Sequence, residues 1–179
     1  MLKADTYLWT SYRCGGAADA TTSLNTVKDI QTYVPSLALQ SSFANVFATT
    51  SRGNNEIIFA SRYVLNEATM GFTTSSFYPQ TGLISNFYDS ANNLKFNSNT
   101  TGNWGGLLRA PIKIAAFRQF SLLDSRTFAS IQPAYNLVAG KYVMAGCFTD
   151  KYQGEFNAGN RTITNDLPIY RYADLLLMK

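Results

Sequence analysis

The sequence of 179 residues predicts a mainly α-helical chain of antiparallel helix pairs, interrupted by a long loop-rich insertion with a few short strands. Three observations predict it. Apolar residues recur at helical spacing three times before residue 50; that periodicity fails from 66 to 109; and it returns close to the C-terminus.

Ala4, Tyr7, Leu8, Ser11 and Tyr12 share one helical face until Gly15-Gly16 ends the pattern. Leu24, Val27, Ile30 and Val34 form a second stripe, closed by Pro35, because the residue before a proline is pushed out of the α region. Leu39, Phe43, Val46 and Phe47 give a third, at the i, i+4, i+7, i+8 spacing of a helix with one buried face. Stripes joined by short turns predict antiparallel pairs, as in helical-repeat proteins, although no repeat of fixed period is visible.

The turn cluster Arg52-Gly53-Asn54-Asn55 precedes Glu56-Ile57-Ile58-Phe59-Ala60, a short β-branched run that predicts a buried strand or extended segment. From 66 to 109 Ser, Thr, Asn and Gly dominate, with aromatics scattered among them, and loops of that length are often functional. Pro111 is a good first helical residue, with Ile112, Ala116, Phe117 and Phe120 along one side of the predicted helix. Short extended pieces and turns are expected from 124 to 156, and Ile169, Ala173, Leu176 and Leu177 open a last amphipathic helix. Met1 starts almost inside a helix and the last helix lacks a stop signal, so both ends read as cut from a longer helical protein. Cut helices expose an apolar stripe, which predicts that the isolated chain associates.

Composition bounds the function. With 46% hydrophobic residues, one domain with one core is the default organisation. Only 15% of residues are charged, against roughly 25% in ordinary soluble domains, so polarity rests on Ser, Thr, Asn and Gln and suits neutral ligands. The net charge of +4 comes from dispersed basic residues, not from a run, which argues against a nucleic-acid partner. The absence of His removes Ser-His-Asp and Cys-His catalysis and His-ligated metal. Acids remain for a two-carboxylate glycosidase, but Glu56, Asp124, Asp166 and Asp174 all sit beside structural features, so no enzyme is expected. Cys14 and Cys147 lack metal-ligand spacing; they read as two buried free thiols, or as a disulfide if the fold brings them together. Neither a cofactor nor a metal is expected. No segment has the length and apolarity to cross a bilayer, and the first residues do not read as a secretion signal.

The segment Asn165-Asp166-Leu167-Pro168-Ile169-Tyr170-Arg171-Tyr172-Ala173-Asp174-Leu175-Leu176-Leu177-Met178 resembles the "D-x-P-x-x-R-Y-A-D/E-x-L-L" hallmark of the SusD/RagB family. Further pieces fall in the family's order: Lys3-Ala4-Asp5-Thr6-Tyr7-Leu8-Trp9, Asn55-Glu56-Ile57-Ile58-Phe59, Asp124-Ser125-Arg126 and Lys151-Tyr152. The resemblance implies a partial SusD-like domain over 1–179: tetratricopeptide-like helix pairs in 1–50, a loop-rich insertion at about 51–165, and the start of a repeat helix at 166–179. It also implies a cell-surface, outer-membrane protein, lipid-anchored in full length, that captures oligosaccharides or polysaccharides for a TonB-dependent SusC-like transporter. The family's lipid-modified N-terminal cysteine and its continuation past the last helix are expected to lie outside this stretch. The alternative is a helical-repeat scaffold that docks proteins and has no sugar site.

Phe77, Tyr78, Phe87, Tyr88 and Trp104 lie among polar residues where no stripe demands them. Aromatics with a polar neighbour suit the C–H faces and hydroxyls of sugars, so Trp104, Tyr78, Tyr88, Phe77 and Asn103 are the candidate glycan contacts. Trp104, between Asn103 and Gly105-Gly106, is either a ligand platform or the small core of its own loop. The roles expected of Asp124 and Arg126 are an ion pair or a turn cap. Arg171 and Tyr172, with Asp166 beside them, are expected to fasten a loop to the last helix, and Lys151 and Tyr152 carry a similar structural reading.

Overall fold

The computed structural model describes residues 1–89, 94–96, 105–157 and 159–179. In chain order it contains α1 (Leu2–Thr10), a π-helical turn (Ser11–Gly15), α2 (Gly16–Tyr33), α3 (Phe43–Phe47), β1 (Ile57–Ser61), α4 (Gly71–Phe77) and α5 (Thr81–Ile84). There follow α6 (Ile114–Phe117), α7 (Ser125–Phe128), β2 (Ile131–Val138), β3 (Lys141–Thr149), β4 (Glu155–Asn157), β5 (Asn160–Thr162), β6 (Leu167–Arg171) and α8 (Tyr172–Leu177). The chain forms two compact units, one of Met1–Ser41, Gly53–Ser61 and Leu167–Lys179, the other of Ser42–Arg52 and Arg62–Asp166.

In the first unit, α1 and α2 lie antiparallel: Ser23 Oγ donates to the Ala4 carbonyl at 2.8 Å, and Thr10 Oγ1 to Asp19 Oδ2 at 2.6 Å. Gly15-Gly16 makes the turn possible. A Cβ on Gly15 would stand 1.7 Å from the Asp19 carboxylate, and Gly16 adopts φ 56°. Ala4, Val27 and Leu175 are the buried centre of this unit, with Ile30, Ile58 and Tyr172 packed against them. The small Ala4 at the centre lets the helices approach closely. β1 and β6 pair antiparallel, with Ile57 opposite Arg171 and Ser61 opposite Leu167.

The expected third helix is confined to α3. Between Pro35 and Ser42 the backbone bonds elsewhere: Ala38 N–H donates to the Asn55 carbonyl at 3.1 Å, and Gln40 N–H to Glu56 Oε2 at 2.8 Å. Those donors are satisfied by the 54–56 turn, so no helical i→i−4 ladder forms through them. The last helix starts at Tyr172, later than Ile169, because Leu167–Arg171 is recruited as β6.

The second unit holds two antiparallel pairs, β2–β3 and β4–β5. The β2–β3 hairpin replaces the short extended pieces expected from 124 to 156. It joins Val138 to Lys141 through Ala139 and Gly140, both at positive φ (48° and 76°), the conformation of a tight turn that follows the twist of a hairpin. Phe117, Ile131 and Cys147 form a buried cluster here with Ile112 and Met144. The helix expected from Pro111 shrinks to Ile114–Phe117, because Ile112 N–H bonds the Cys147 carbonyl in a β-bridge.

The architecture therefore mixes helix and strand. Among the described residues, helices of eight or more residues are limited to α1 and α2, which make one antiparallel pair. Residues 42–52 group with the insertion and 53–61 with the helices, so the expected boundaries near 50 and 165 become a discontinuous division. One thiol also differs from expectation: Cys147 is buried, but Cys14 is exposed on the π-helical turn.

Candidate functional site

A cavity of about 880 Å³ opens in the second unit, within the usual size of ligand pockets. Phe117, Arg118, Phe120, Leu122 and Phe128 line it from α6, α7 and the turn between them; Gln132, Tyr135 and Met144 line it from the hairpin. Asp89, Phe96, Asp150, Gln153 and Arg161 complete the wall. Phe117 is buried and braces Phe128 edge-to-face at 6.4 Å, while Phe128 and Phe120 remain 44% and 47% exposed. The result is aromatic surface held in place from behind and open in front.

The polar part of the wall is ordered by hydrogen bonds. Asp150 N–H donates to the Ser130 carbonyl at 2.9 Å, which fixes the residue at the end of β3. Gln153 Nε2 donates to Asp150 Oδ2 at 3.0 Å, and Arg161 Nη1 to the Gln153 carbonyl at 2.6 Å. Protein atoms crowd the Asp150 carboxyl, and that burial pushes its pKa up to about 7; the Gln153 hydrogen bond and the Arg161 charge pull it back only in part. Burial also lowers the Arg161 pKa from its ordinary value, opposed by the nearby Asp150 charge. Two acids and two arginines line the cavity, Asp89 and Asp150 with Arg118 and Arg161, and the raised Asp150 pKa leaves that carboxyl partly protonated near neutral pH.

The glycan contacts expected from sequence fare unevenly. Trp104 and Asn103 lie outside the described residues. Tyr78 is fully buried and its hydroxyl donates to the Tyr152 carbonyl; no ring face is left for a sugar, which corrects its assignment as a contact. Phe77 is half-buried with its ring edge-to-face on Phe72 at 5.8 Å, and Tyr88 is half-buried against Tyr142 at 5.3 Å. Neither lines the cavity, although Asp89 and Phe96 from the same stretch do. Sequence reasoning missed Phe120, Phe128, Gln132, Asp150 and Arg161. The available signal was aromatics beside polar residues, in Arg118-Gln119-Phe120 and around Phe128.

The structural motifs act locally. Asp124 caps α7 through the Arg126 N–H at 2.9 Å and also accepts from Arg126 Nε and Nη2, at 2.9 and 2.5 Å. The Arg126 hydrogen bonds hold its carboxyl pKa down at about 2. Lys151 Nζ sits 4.1 Å from the centre of the Phe47 ring, which Tyr152 meets edge-on at 5.6 Å. Arg171 N–H donates to Asp174 Oδ2 at 2.8 Å, closing a capping box on α8, while Arg171 Nη1 reaches the buried Glu56 carboxylate at 3.4 Å. Tyr172 N–H donates to the Glu56 carbonyl at 2.7 Å, which ties the start of α8 to the residue before β1. Asp166 Oδ1 is buried and has no hydrogen-bond partner among the described residues.

Neither a family model nor a curated protein sequence matches the chain. Solved structures do. NanU from B. fragilis matches at TM-score 0.90 and 33% identity, over 99% of this chain and 37% of that one. A SusD superfamily protein from Bacteroides vulgatus matches at 0.88 and 28% identity, over 99% of this chain and 38% of that one. Surface glycan-binding protein A from Bacteroides thetaiotaomicron, in complex with laminarihexaose, matches at 0.63 and 18% identity, over 98% and 40% of the two chains, a likeness of fold alone. The chain thus spans 37% and 38% of the length of the first two. It has the SusD-like fold.

Proposed function

We propose that the chain belongs to a cell-surface glycan-binding protein and holds a neutral oligosaccharide in the cavity of its second unit. The carrying observation is the wall itself: exposed Phe120 and Phe128 rings beside Gln132, Gln153 and Arg161. Sugar rings pack their C–H faces on aromatic faces, while fixed amide and guanidinium groups bond hydroxyls. The laminarihexaose carried by one structural neighbour supports the ligand class.

On this reading the full-length protein sits at the outer membrane through a lipid anchor and passes its glycan to a TonB-dependent SusC-like transporter. It is not an enzyme. Asp89 and Asp150 do share the cavity, and a glycosidase uses two carboxylates, so intact recovery of the glycan after incubation is part of the test. The test is calorimetric titration of the chain with neutral laminari-, cello-, malto- and xylo-oligosaccharides. Saturable binding that weakens roughly tenfold in Phe120→Ala, the loss of one stacking platform, is expected. Absence of binding across the panel, together with capture of a transporter, favours the protein-docking scaffold.

A further inference from the structure

A second cavity of about 500 Å³ adjoins the first within the same unit. The two share Phe128, Asp150 and Gln153, so these side chains form a common wall. Beyond that wall the rim is polar and uncharged, with Asn45, Thr49 and Thr50. The floor is locked: Asn165, 2% exposed, donates through Nδ2 to the Phe47 carbonyl at 2.7 Å, and its Oδ1 accepts from Gly154 N–H at 2.7 Å. Gly154 cannot be replaced cheaply there, since it adopts φ 68° and a Cβ would stand 2.2 Å from the Thr162 carbonyl oxygen. Among the described residues, the one cation on the rim of this cavity is Lys151, and its ammonium lies over the Phe47 ring.

A locked floor under hydroxyl and amide groups fits an uncharged, hydroxylated ligand, as the first cavity does. A single sugar ring does not serve both cavities; a chain does. We propose that the second cavity is an additional sugar subsite, so that the ligand is a linear, uncharged oligosaccharide crossing Phe128 from one cavity into the other. This rests on the glycan-binding reading of the first cavity.

The experiment titrates the whole chain with laminari-, cello-, malto- and xylo-oligosaccharides of increasing length, from the disaccharide to the hexasaccharide. It compares the parent with Thr50→Trp, which fills the exposed rim of the second cavity, with Asn45→Ala as a milder variant, and with Phe120→Ala in the first. Expected is affinity that climbs with length in the parent, and a loss of roughly tenfold in Thr50→Trp for the longest ligand with no change for the shortest bound. Asn45→Ala moves the same way by less, while Phe120→Ala weakens every length. If Phe120→Ala weakens binding but Thr50→Trp and Asn45→Ala leave every length unchanged, the second subsite is refuted and the glycan reading stands. If no oligosaccharide binds the parent, or Phe120→Ala changes nothing, both are refuted.

Discussion

Asp150→Asn tests the electrostatics of the cavity wall. The folded chain raises this carboxyl from 3.8 to about 7, about three units, and at 1.36 kcal/mol per unit the ionised group costs about 4 kcal/mol at high pH. Local relaxation and residual solvent access reduce this to about 2–4 kcal/mol. The sign follows from the raised value. Protonation stabilises the folded state fully below the unfolded pKa of about 3.9, and that contribution is lost as pH rises through about 7. An amide resembles the protonated acid in shape and still accepts from Gln153. Asp150→Asn is therefore about 2–4 kcal/mol more stable than the parent near pH 8.5 and indistinguishable from it near pH 4, by urea unfolding followed by circular dichroism. In a chain of this size the alkaline melting point rises by about 5–10 °C. A variant no more stable at pH 8.5, or one shifted equally at both pH values, refutes the buried-carboxyl argument.

Three further outcomes are expected. Glu56→Ala removes the acceptor of the Gln40 N–H and the partner of Arg171, so urea unfolding should show a loss of about 3 kcal/mol; a change under about 0.5 kcal/mol contradicts the role of this 4% exposed carboxylate. Ala139→Gly relieves a side chain held at φ 48° and should stabilise the chain by about 0.5–1 kcal/mol, whereas destabilisation would deny the hairpin turn described here. A thiol probe applied to the folded chain should label Cys14 quickly and Cys147 only after unfolding, because burial and a hydrogen bond to the Ile112 carbonyl at 3.1 Å shield Cys147, whose pKa burial raises. Equal labelling of both contradicts it.

Elements with strong local signals were legible in the sequence. The Leu24–Val34 stripe ends at Pro35 and the helix ends at Tyr33; the 57–60 run is a strand, although it is not buried and Phe59 is exposed; Asp124 caps a helix and pairs with Arg126. Elements decided by distant partners were not. Residues 38 and 40 give their N–H groups to the 54–56 turn, and Leu167–Arg171 becomes a strand only because β1 lies beside it. The long hairpin hid behind Pro133 within its first strand, a register shift after Ala134, and an Ala-Gly turn instead of the usual Asn-Gly. The place of the proposed site was not legible. Aromatic residues beside polar ones signalled a sugar-like surface, yet local pattern does not distinguish Tyr78, whose ring fills the core, from Phe120, whose ring faces a cavity.

The most direct test of the central claim is calorimetric titration of the chain and of Phe120→Ala with the same set of neutral oligosaccharides. The account predicts saturable binding by the parent, recovery of the glycan uncleaved, and affinity roughly tenfold lower in the variant. Equal affinity of parent and variant, or cleavage of the bound glycan, would contradict it.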